Sequence, residues 1–190
     1  MTNTSKIPCT VAILTRNSAN TLRKTLGSLE RFEEMIICDG GSTDDTLAIA
    51  QEHGARIIIQ DRQFLDADGR INDFSRVRNQ TLEAASYDWY FYIDADEEAT
   101  SNLVEEIAKI VDGGSPAAYW IPRQYVFQGK HIKCATTYPN KQMRLFNKKV
   151  TNEFIKAVHE RIEVISSTSI YETKGVILVP IDSDIESLRY

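Results

Sequence analysis

The chain has 190 residues, of which 42% are hydrophobic and 26% charged, and its formal net charge is −5. This composition is typical of a globular protein with a sizeable core and excludes a disordered chain. The net negative charge argues against bulk binding of nucleic acid.

The first half of the chain alternates between strand and helix signals. Short apolar runs indicate buried strands, and leucines spaced four and three residues apart indicate an amphipathic helix. In chain order the pattern predicts strands over residues 11–15, 35–38, 56–60 and 89–93. It predicts helices over about 19–32, 44–53 and 75–85, and a fourth helix that ends near 113–114; a long loop is predicted over 61–74. Ser42 or Thr43 is the predicted cap of the second helix, and Ser101 or Asn102 that of the fourth.

The pattern changes after residue 114, where strand signals follow one another without helices. Strands are predicted over residues 119–127, 130–134, 143–146, 161–165 and 176–181. Alternating strands and helices followed by a strand-rich segment predict an α/β fold, with a mostly parallel sheet and an appended antiparallel portion.

One of three Asp-x-Asp triplets lies where a ligand site is expected. Asp94-Ala95-Asp96 directly follows the strongly apolar, aromatic strand predicted over 89–93, whereas the triplet at 66–68 lies in a predicted loop and the triplet at 182–184 follows the last predicted strand, which has no aromatic residue. Ligands in open α/β sheets bind beyond the carboxyl ends of strands. Two neighbouring carboxylates repel each other unless a cation neutralises them, and oxygen ligands suit Mg²⁺ or Mn²⁺. The alternative is a pair of turn-forming aspartates that cap the following helix.

A second polar segment, CDGGSTDDT over residues 38–46, also follows a predicted strand. Asp39 lies at the end of that strand, and Gly40 and Gly41 permit a tight turn. The start of the next helix favours anionic groups. The alternative is an ordinary strand–turn–helix connection.

Taken together, the order and spacing of four motifs resemble the family-two inverting glycosyltransferases with the GT-A fold. The motifs are Thr15-Arg16-Asn17, DGGSTDDT over 39–46, Arg78-Asn79 and DADE over 94–97. The segments YPNKQMRLF over 138–146 and VHE over 158–160 resemble a subgroup that includes bacterial lipopolysaccharide-core β-glucosyltransferases. The resemblance covers about residues 11–181. It implies a Rossmann-like, mostly parallel sheet flanked by helices, with the appended antiparallel portion.

The resemblance also implies roles for the matching residues. Nucleotide contacts are implied for Thr15, Arg16, Asn17, Asp39, Arg78 and Asp94. Asp96, together with Asp94, is implied to ligate Mn²⁺ or Mg²⁺, which would offset charge on the departing diphosphate. Glu160 is the candidate catalytic base that takes the acceptor hydroxyl proton, the alternative being a surface carboxylate that faces Lys156 or Arg161. Gln142, Arg144 and His159 are expected beside the donor sugar or the acceptor.

The sequence has no internal repeat and no clear linker, and it therefore predicts one glycosyltransferase domain over residues 1–190. Its nucleotide-binding part would span about 10–115 and its acceptor-side part about 116–182. It would move a sugar, a hexose by this resemblance, from a nucleotide-sugar donor to a glycan, lipid-linked or lipopolysaccharide-type acceptor. The chain departs from the subgroup in having Asn140 where aspartate is usual and Asp182 where histidine is common, and it ends at Tyr190 where family members continue into helices.

The stretch from residue 120 to 161 is basic, with nine Lys or Arg against Glu153 and Glu160, a net charge of 9 − 2 = +7. It predicts either solvated strand edges or a face for a phosphorylated acceptor or an anionic membrane surface. The polar N-terminus lacks a signal core, and no apolar run reaches the roughly 18 residues of a membrane span. Three cysteines without a Cys-x-x-Cys pair indicate neither a zinc site nor a disulfide framework. A cytoplasmic protein is therefore expected, with peripheral contact at the inner face of the membrane as an option.

Two other classes of protein could explain the carboxylates. A nucleotidyltransferase would have a glycine-rich basic loop after the first strand, but residues 15–20 contain no glycine. A non-catalytic domain that binds a nucleotide or a partner could descend from the same fold, although both Asp94 and Asp96 are present.

Overall fold

The computed structural model describes residues 5–132 and 140–181, and the predicted α/β organisation is present within these ranges. In chain order the elements are β1 (Ile7–Thr15), α1 (Ala19–Gly27), β2 (Phe32–Asp39), α2 (Thr46–Glu52), β3 (Arg56–Ile59), α3 (Phe74–Ala84), β4 (Trp89–Tyr92), β5 (Glu98–Ala99), α4 (Ser101–Gly113), β6 (Ala118–Phe127), β7 (Lys130–His131), β8 (Asn140–Asn147), β9 (Thr151–Ile155), β10 (Arg161–Val164), β11 (Ile170–Glu172) and β12 (Ile177–Pro180).

The main sheet has the strand order β3-β2-β1-β4-β8-β6-β12-β5. Strands β1 to β4 pair in parallel, whereas β8 runs antiparallel to both β4 and β6. The prediction of a parallel sheet with an antiparallel portion is therefore confirmed. Thr15 pairs with Asp39 at the carboxyl ends of β1 and β2. The residues that follow β4 emerge at the same edge, and this topology brings the separate motifs together.

Strand β4 lies at the centre of the core, and its four residues, WYFY, are all buried. Its alternate side chains enter two apolar clusters on opposite faces of the sheet. Phe91 packs with Leu22 and Leu26 of α1, while Tyr90 packs with Phe146 and Phe154 on the other face. Each fully buried large side chain contributes roughly 1.5–3 kcal/mol of transfer free energy, so the core anchors the end of β4 firmly.

Two helix boundaries differ from the sequence-based prediction. Helix α1 ends at Gly27 and not at residue 32, because Phe32 begins β2, where it is 1% exposed and pairs with Ile7. The N-cap of α4 is Thr100, whose hydroxyl accepts a hydrogen bond from the Leu103 amide at 3.3 Å, and not Ser101 or Asn102. An N-cap residue has non-helical backbone angles, and Ser101 already lies within the helix.

The start of α2 also differs, because Ser42 and Thr43 do not cap it. Helix α2 begins at Thr46, after Asp45. The Ser42 amide donates to Asp39, and the Thr43 amide donates to Asn17, so both residues belong to the turn before the helix.

The short strands β5, β9 and β11 carry too few residues to give a sequence period, and the sequence analysis did not predict them. Parts of the predicted strand over 130–134 and of the segment over 138–146 lie outside the described residues, as does Asp182. In the described part of the chain, no helix has both the length and the apolar character needed to cross a membrane.

Candidate functional site

Two clefts adjoin at the carboxyl edge of the parallel strands. The first has a volume of about 850 Å³ and lies between β4, β8, α3 and the hairpin formed by β9 and β10. The second, of about 320 Å³, lies beside the end of β1 and the loop that precedes α3. Phe74, Arg78 and Asp94 line both clefts, so a molecule that occupied both would pass these residues.

Asp94 accepts hydrogen bonds from two buried arginines. Its Oδ1 lies 2.8 Å from Nη2 of Arg78 and 3.2 Å from Nη1 of Arg144, and its Oδ2 lies 2.9 Å from Nη2 of Arg144. The two arginines are 4% and 3% exposed, whereas Asp94 is 37% exposed. Burial alone would raise the pKa of Asp94, but the guanidinium groups of Arg144 and Arg78 outweigh it and hold that pKa well below its usual range. Asp94 is therefore ionised throughout the physiological pH range.

The ring of Tyr92 contacts both guanidinium groups. The Cζ atoms of Arg78 and Arg144 each lie 4.6 Å from the ring centroid. A cation over an aromatic face is stabilised by the ring quadrupole. Burial raises the pKa of Tyr92, so its hydroxyl is neutral, and the ring can hold two like charges in neighbouring positions.

A second carboxylate, Glu97, supports this arrangement, and its role was not predicted from the sequence. Glu97 is fully buried, and its Oε1 accepts hydrogen bonds from Nε and Nη2 of Arg123 at 2.8 and 2.5 Å. Its Oε2 accepts from the backbone amide of Asp94 at 3.1 Å and lies 3.7 Å from Arg144. Glu97 thus fixes the turn that carries Asp94. The one signal in the sequence was an acidic residue at the end of the DADE motif.

Arg78 retains one unsatisfied donor. Its Nε lies 3.3 Å from Oε1 of Glu160 and its Nη2 bonds Asp94, but its buried Nη1 has no hydrogen-bond partner among the residues that the structure describes. Buried polar atoms in native proteins nearly always have a partner, so an orphaned guanidinium nitrogen indicates the place of a missing acceptor. An anionic oxygen that reached Nη1 would satisfy it.

Glu160 and His159 line the first cleft, as does Gln142. The Glu160 side chain is 18% exposed, and its ion pair is with Arg78 rather than with the predicted neighbours Lys156 or Arg161. Gln142 accepts a hydrogen bond from Nε of Arg144 at 2.8 Å and so helps to orient that guanidinium group. Gln142, Arg144 and His159, which are predicted beside the donor sugar or the acceptor, thus line one cleft with Asp94, and their contacts with either molecule stay a prediction.

The turn after β2 is organised around Asp39, which is buried. Its Oδ1 accepts hydrogen bonds from the hydroxyls of Thr15 and Ser42, and its Oδ2 accepts from the amides of Gly41 and Ser42. Gly41 has a φ of +86°, a conformation that L-residues rarely adopt. Asp39 therefore shapes the turn, and its contact with a base or ribose stays a prediction.

Arg16 and Asn17 extend this organisation to the neighbouring loops. The Arg16 guanidinium donates to the carbonyls of Gly69 and Asp68 at 2.6 and 2.8 Å, and this ties the loop before α3 to the end of β1. Asn17 has a φ of +51°, and its Oδ1 accepts from the Thr43 amide at 2.8 Å. Thr15 and Arg16 line the second cleft.

The turn after β4 carries carboxylates, the kind of residue that binds a divalent cation. Among the described residues, no three His, Cys, Asp or Glu side chains are grouped so as to hold an ion by themselves. Magnesium and manganese ions on diphosphates need only one or two carboxylates, since the phosphates supply further ligands. Asp96 is exposed at the same turn as Asp94. Because guanidinium groups contact both oxygens of Asp94, an ion bound there would compete with Arg144.

The basic stretch over residues 120–161 is partly neutralised by the rest of the chain. Lys141 pairs with Glu172 and Lys149 with Asp88, each at 2.6 Å. The carboxylates that pair with Arg123 and Arg144 also lie outside the stretch. These pairings lower the positive charge that the stretch can present to a phosphorylated acceptor or a membrane.

Comparison with known proteins places this geometry in a family. The model of the family described as Glycosyl transferase family 2 matches residues 10–166. A TPR repeat-containing protein of Synechococcus elongatus is 30% identical over 80% of this chain and 35% of its own length. An uncharacterized glycosyltransferase of Rickettsia typhi is 30% identical over 72% of this chain and 45% of its own length. The lipopolysaccharide core biosynthesis glycosyltransferase LpsC of Rhizobium meliloti is 27% identical over 83% of this chain and 57% of its own length.

Among solved structures, TarS of S. aureus superposes with a TM-score of 0.61 at 14% identity, over 92% of this chain and 37% of that one. The likeness shows the GT-A fold that the sequence predicted. The chain spans about half or less of the length of most of these relatives, so activities of their other parts do not transfer to it.

Proposed function

The chain belongs to glycosyl transferase family 2 and is a glycosyltransferase, and we propose that it moves a hexose from a nucleoside diphosphate sugar to an acceptor hydroxyl with inversion. The observation that carries this proposal is Arg78. It lines both clefts, bonds Asp94 and contacts the candidate base Glu160, and its buried Nη1 has no partner among the described residues. An anionic diphosphate beside Arg78 would bond its guanidinium group and leave the sugar beside Glu160.

The donor nucleotide would lie in the second cleft. Thr15 and Arg16 line this cleft, and Arg16 already holds the loop that covers it. The diphosphate would then reach Arg78, with Arg144 beside it. A divalent ion held by Asp96 and Asp94 would offset the charge that develops on the departing diphosphate. Arginine suits this position because its planar fork of donors can bond two phosphate oxygens.

The acceptor would enter the first cleft, whose lining includes three exposed apolar side chains. Phe74, Trp120 and Val158 line it with exposures of 38%, 40% and 64%. Exposed apolar side chains that gather at one groove indicate a binding surface. The aromatic face of Trp120 suits the C–H face of a sugar ring, which supports a carbohydrate or lipid-linked carbohydrate acceptor.

In the transfer step Glu160 would act as the base. The acceptor oxygen bonds to the anomeric carbon of the donor sugar, and the bond from that carbon to the diphosphate breaks with its electron pair on the diphosphate. The acceptor proton moves to the Glu160 carboxylate. Attack from the face opposite the leaving group inverts the anomeric configuration. Asp94 and Glu97 would keep Arg78 and Arg144 in place during this step.

The test uses UDP release from a panel of UDP-hexoses with Mn²⁺, first with water and then with glycan pools as acceptors. TarS was crystallised with UDP and with UDP-GlcNAc, which makes uridine donors the first class to test. We expect Glu160→Gln to lower kcat by roughly 10²–10⁴-fold and to leave UDP affinity unchanged. Glu52→Gln, an exposed ion-paired glutamate outside both clefts, is the matched control and should keep the wild-type rate.

Near wild-type kcat in Glu160→Gln would move the base to another carboxylate, with Glu163 in the same cleft as the next candidate. UDP binding without turnover of any sugar donor would instead favour a non-catalytic nucleotide-binding domain. The anomeric configuration of the product, read by NMR coupling constants, tests inversion directly.

A further inference from the structure

We infer that Asn79 is a positioning residue, which fixes the β9–β10 hairpin against α3 and so sets where Glu160 lies. The inference rests on the proposed role of Glu160 as the base. Asn79 belongs to the Arg78-Asn79 motif, but its side chain lines neither cleft among the described residues. Its role is therefore assigned from the hydrogen bonds that its side chain makes.

The Asn79 side chain pairs with the backbone of one hairpin residue in both directions. Its Nδ2 donates to the Phe154 carbonyl at 3.0 Å, and its Oδ1 accepts from the Phe154 amide at 2.7 Å. This is the pair of hydrogen bonds that a neighbouring β-strand would offer. A side chain thus takes the place of a strand at the edge of β9, and it fixes one residue of the hairpin in register with α3.

Helix α3 also holds the loop between β9 and β10 at two further points. The Phe74 amide donates to the Ala157 carbonyl at 2.9 Å, and Arg78 contacts Glu160 at 3.3 Å. The loop that carries the base is therefore anchored before, within and at its end by one helix. Because Arg78 and Asn79 are consecutive, the residue expected at the diphosphate and the residue that anchors the base move together.

The hairpin needs such anchors. Lys156 and His159 have φ values of +73° and +56°, which are unfavourable for residues with a Cβ and persist only where surrounding contacts impose them. A two-stranded hairpin by itself is also marginally stable. Phe154 buries its ring against Tyr92 and Phe146, and this holds the hairpin to the core. Aromatic packing tolerates small sliding, whereas the Asn79 hydrogen bonds fix the position of the backbone.

Asn152 provides a matched control. It lies on the same strand and its Nδ2 donates to Oε2 of Glu163 at 2.9 Å, so it links β9 to β10 but does not link the hairpin to α3. Asn79→Ala and Asn152→Ala each remove one amide side chain from a hydrogen bond with the hairpin. Only the first removes the anchor to the helix.

The experiment compares wild type, both variants and Glu160→Gln in three measurements: UDP release from UDP-hexose with Mn²⁺, UDP affinity by calorimetry, and hydrogen exchange of the peptide that covers residues 151–160. For Asn79→Ala we expect kcat to fall about 10- to 100-fold, since a displacement of about 1 Å can cost this much. UDP affinity should stay within about twofold, and exchange in the peptide should become faster. Asn152→Ala should keep the wild-type kcat.

Asn79→Asp refines the test, because it keeps the acceptor for the Phe154 amide but loses the donor to its carbonyl. It should fall between wild type and Asn79→Ala, and it replaces Asn79→Ala in all comparisons if that variant does not fold. Wild-type kcat in the Asn79 variant, or losses of kcat and UDP affinity in equal proportion, would overturn the positioning role. A normal rate in Glu160→Gln would overturn the proposed base instead. A slow Glu160→Gln with a fast Asn79→Ala would leave the base intact and reject only the inference about Asn79.

Discussion

Replacement of Asp94 by asparagine tests whether the paired arginines depend on this carboxylate. The change is nearly isosteric, and it removes the main counter-ion of Arg78 and Arg144, which are 4% and 3% exposed. Removal of one partner from a fully buried ion pair typically costs about 3–5 kcal/mol. The cost here should be smaller, because Asp94 is 37% exposed and solvent screens its charge.

Two remaining contacts lower the cost further. Arg78 keeps its pair with Glu160, and Arg144 lies 3.7 Å from Glu97. We therefore expect Asp94→Asn to lower the free energy of unfolding by about 1–3 kcal/mol. In a chain of this size that corresponds to a fall in Tm of about 2–12 °C.

The assay is urea denaturation and calorimetric Tm for Asp94→Asn beside Asp88→Asn. Asp88 pairs with Lys149, but both side chains are more than half exposed, so that control should lose clearly less stability than Asp94→Asn. Because the folded pKa of Asp94 is depressed, its stabilising contribution is present above the unfolded carboxyl pKa of about 3.9 and is lost as the pH falls toward the lower folded value. The difference from wild type should therefore be constant between pH 5 and 8. Equal stability of the two variants would refute the view that Asp94 holds the arginines.

Three further outcomes follow from single contacts. Arg78→Lys, which keeps the charge but loses the planar fork, should weaken UDP binding by about 1–3 kcal/mol in calorimetry, and unchanged affinity in a folded variant would contradict the diphosphate contact. Gly175→Ala should destabilise the protein by about 1–3 kcal/mol in urea denaturation, because a Cβ there would lie 2.4 Å from the Cα of Leu103, and wild-type stability would show that this contact relaxes freely. Burial raises the pKa of Cys38 to about 12 and that of Cys9 still further, so both thiols should resist iodoacetamide at pH 8 until the protein is unfolded. Peptide mass spectrometry measures this labelling, and labelling in the native state would contradict the burial of the two thiols.

The sequence alone determined the α/β class and most of its strands and helices. The apolar run over 89–93 and the leucine spacing of the first helix have periods that local chemistry reveals, and β4 and α1 lie where those signals place them. The order of the short motifs also indicated the family and gathered Arg78, Asp94 and Glu160 into one expected site. These residues do line a common cleft.

Only the tertiary structure decided which charges face one another. Arg123 and Glu97 are 26 residues apart and Asn79 and Phe154 are 75 apart, so no local pattern links them. The ends of elements also depended on long-range pairing. Phe32, for example, belongs to β2 and not to the predicted helix, because pairing with Ile7 in the sheet buries its side chain. Periodicity reports which face of a segment is apolar, whereas the partners of a buried charge are set by where distant segments meet, and that is a property of the packed chain.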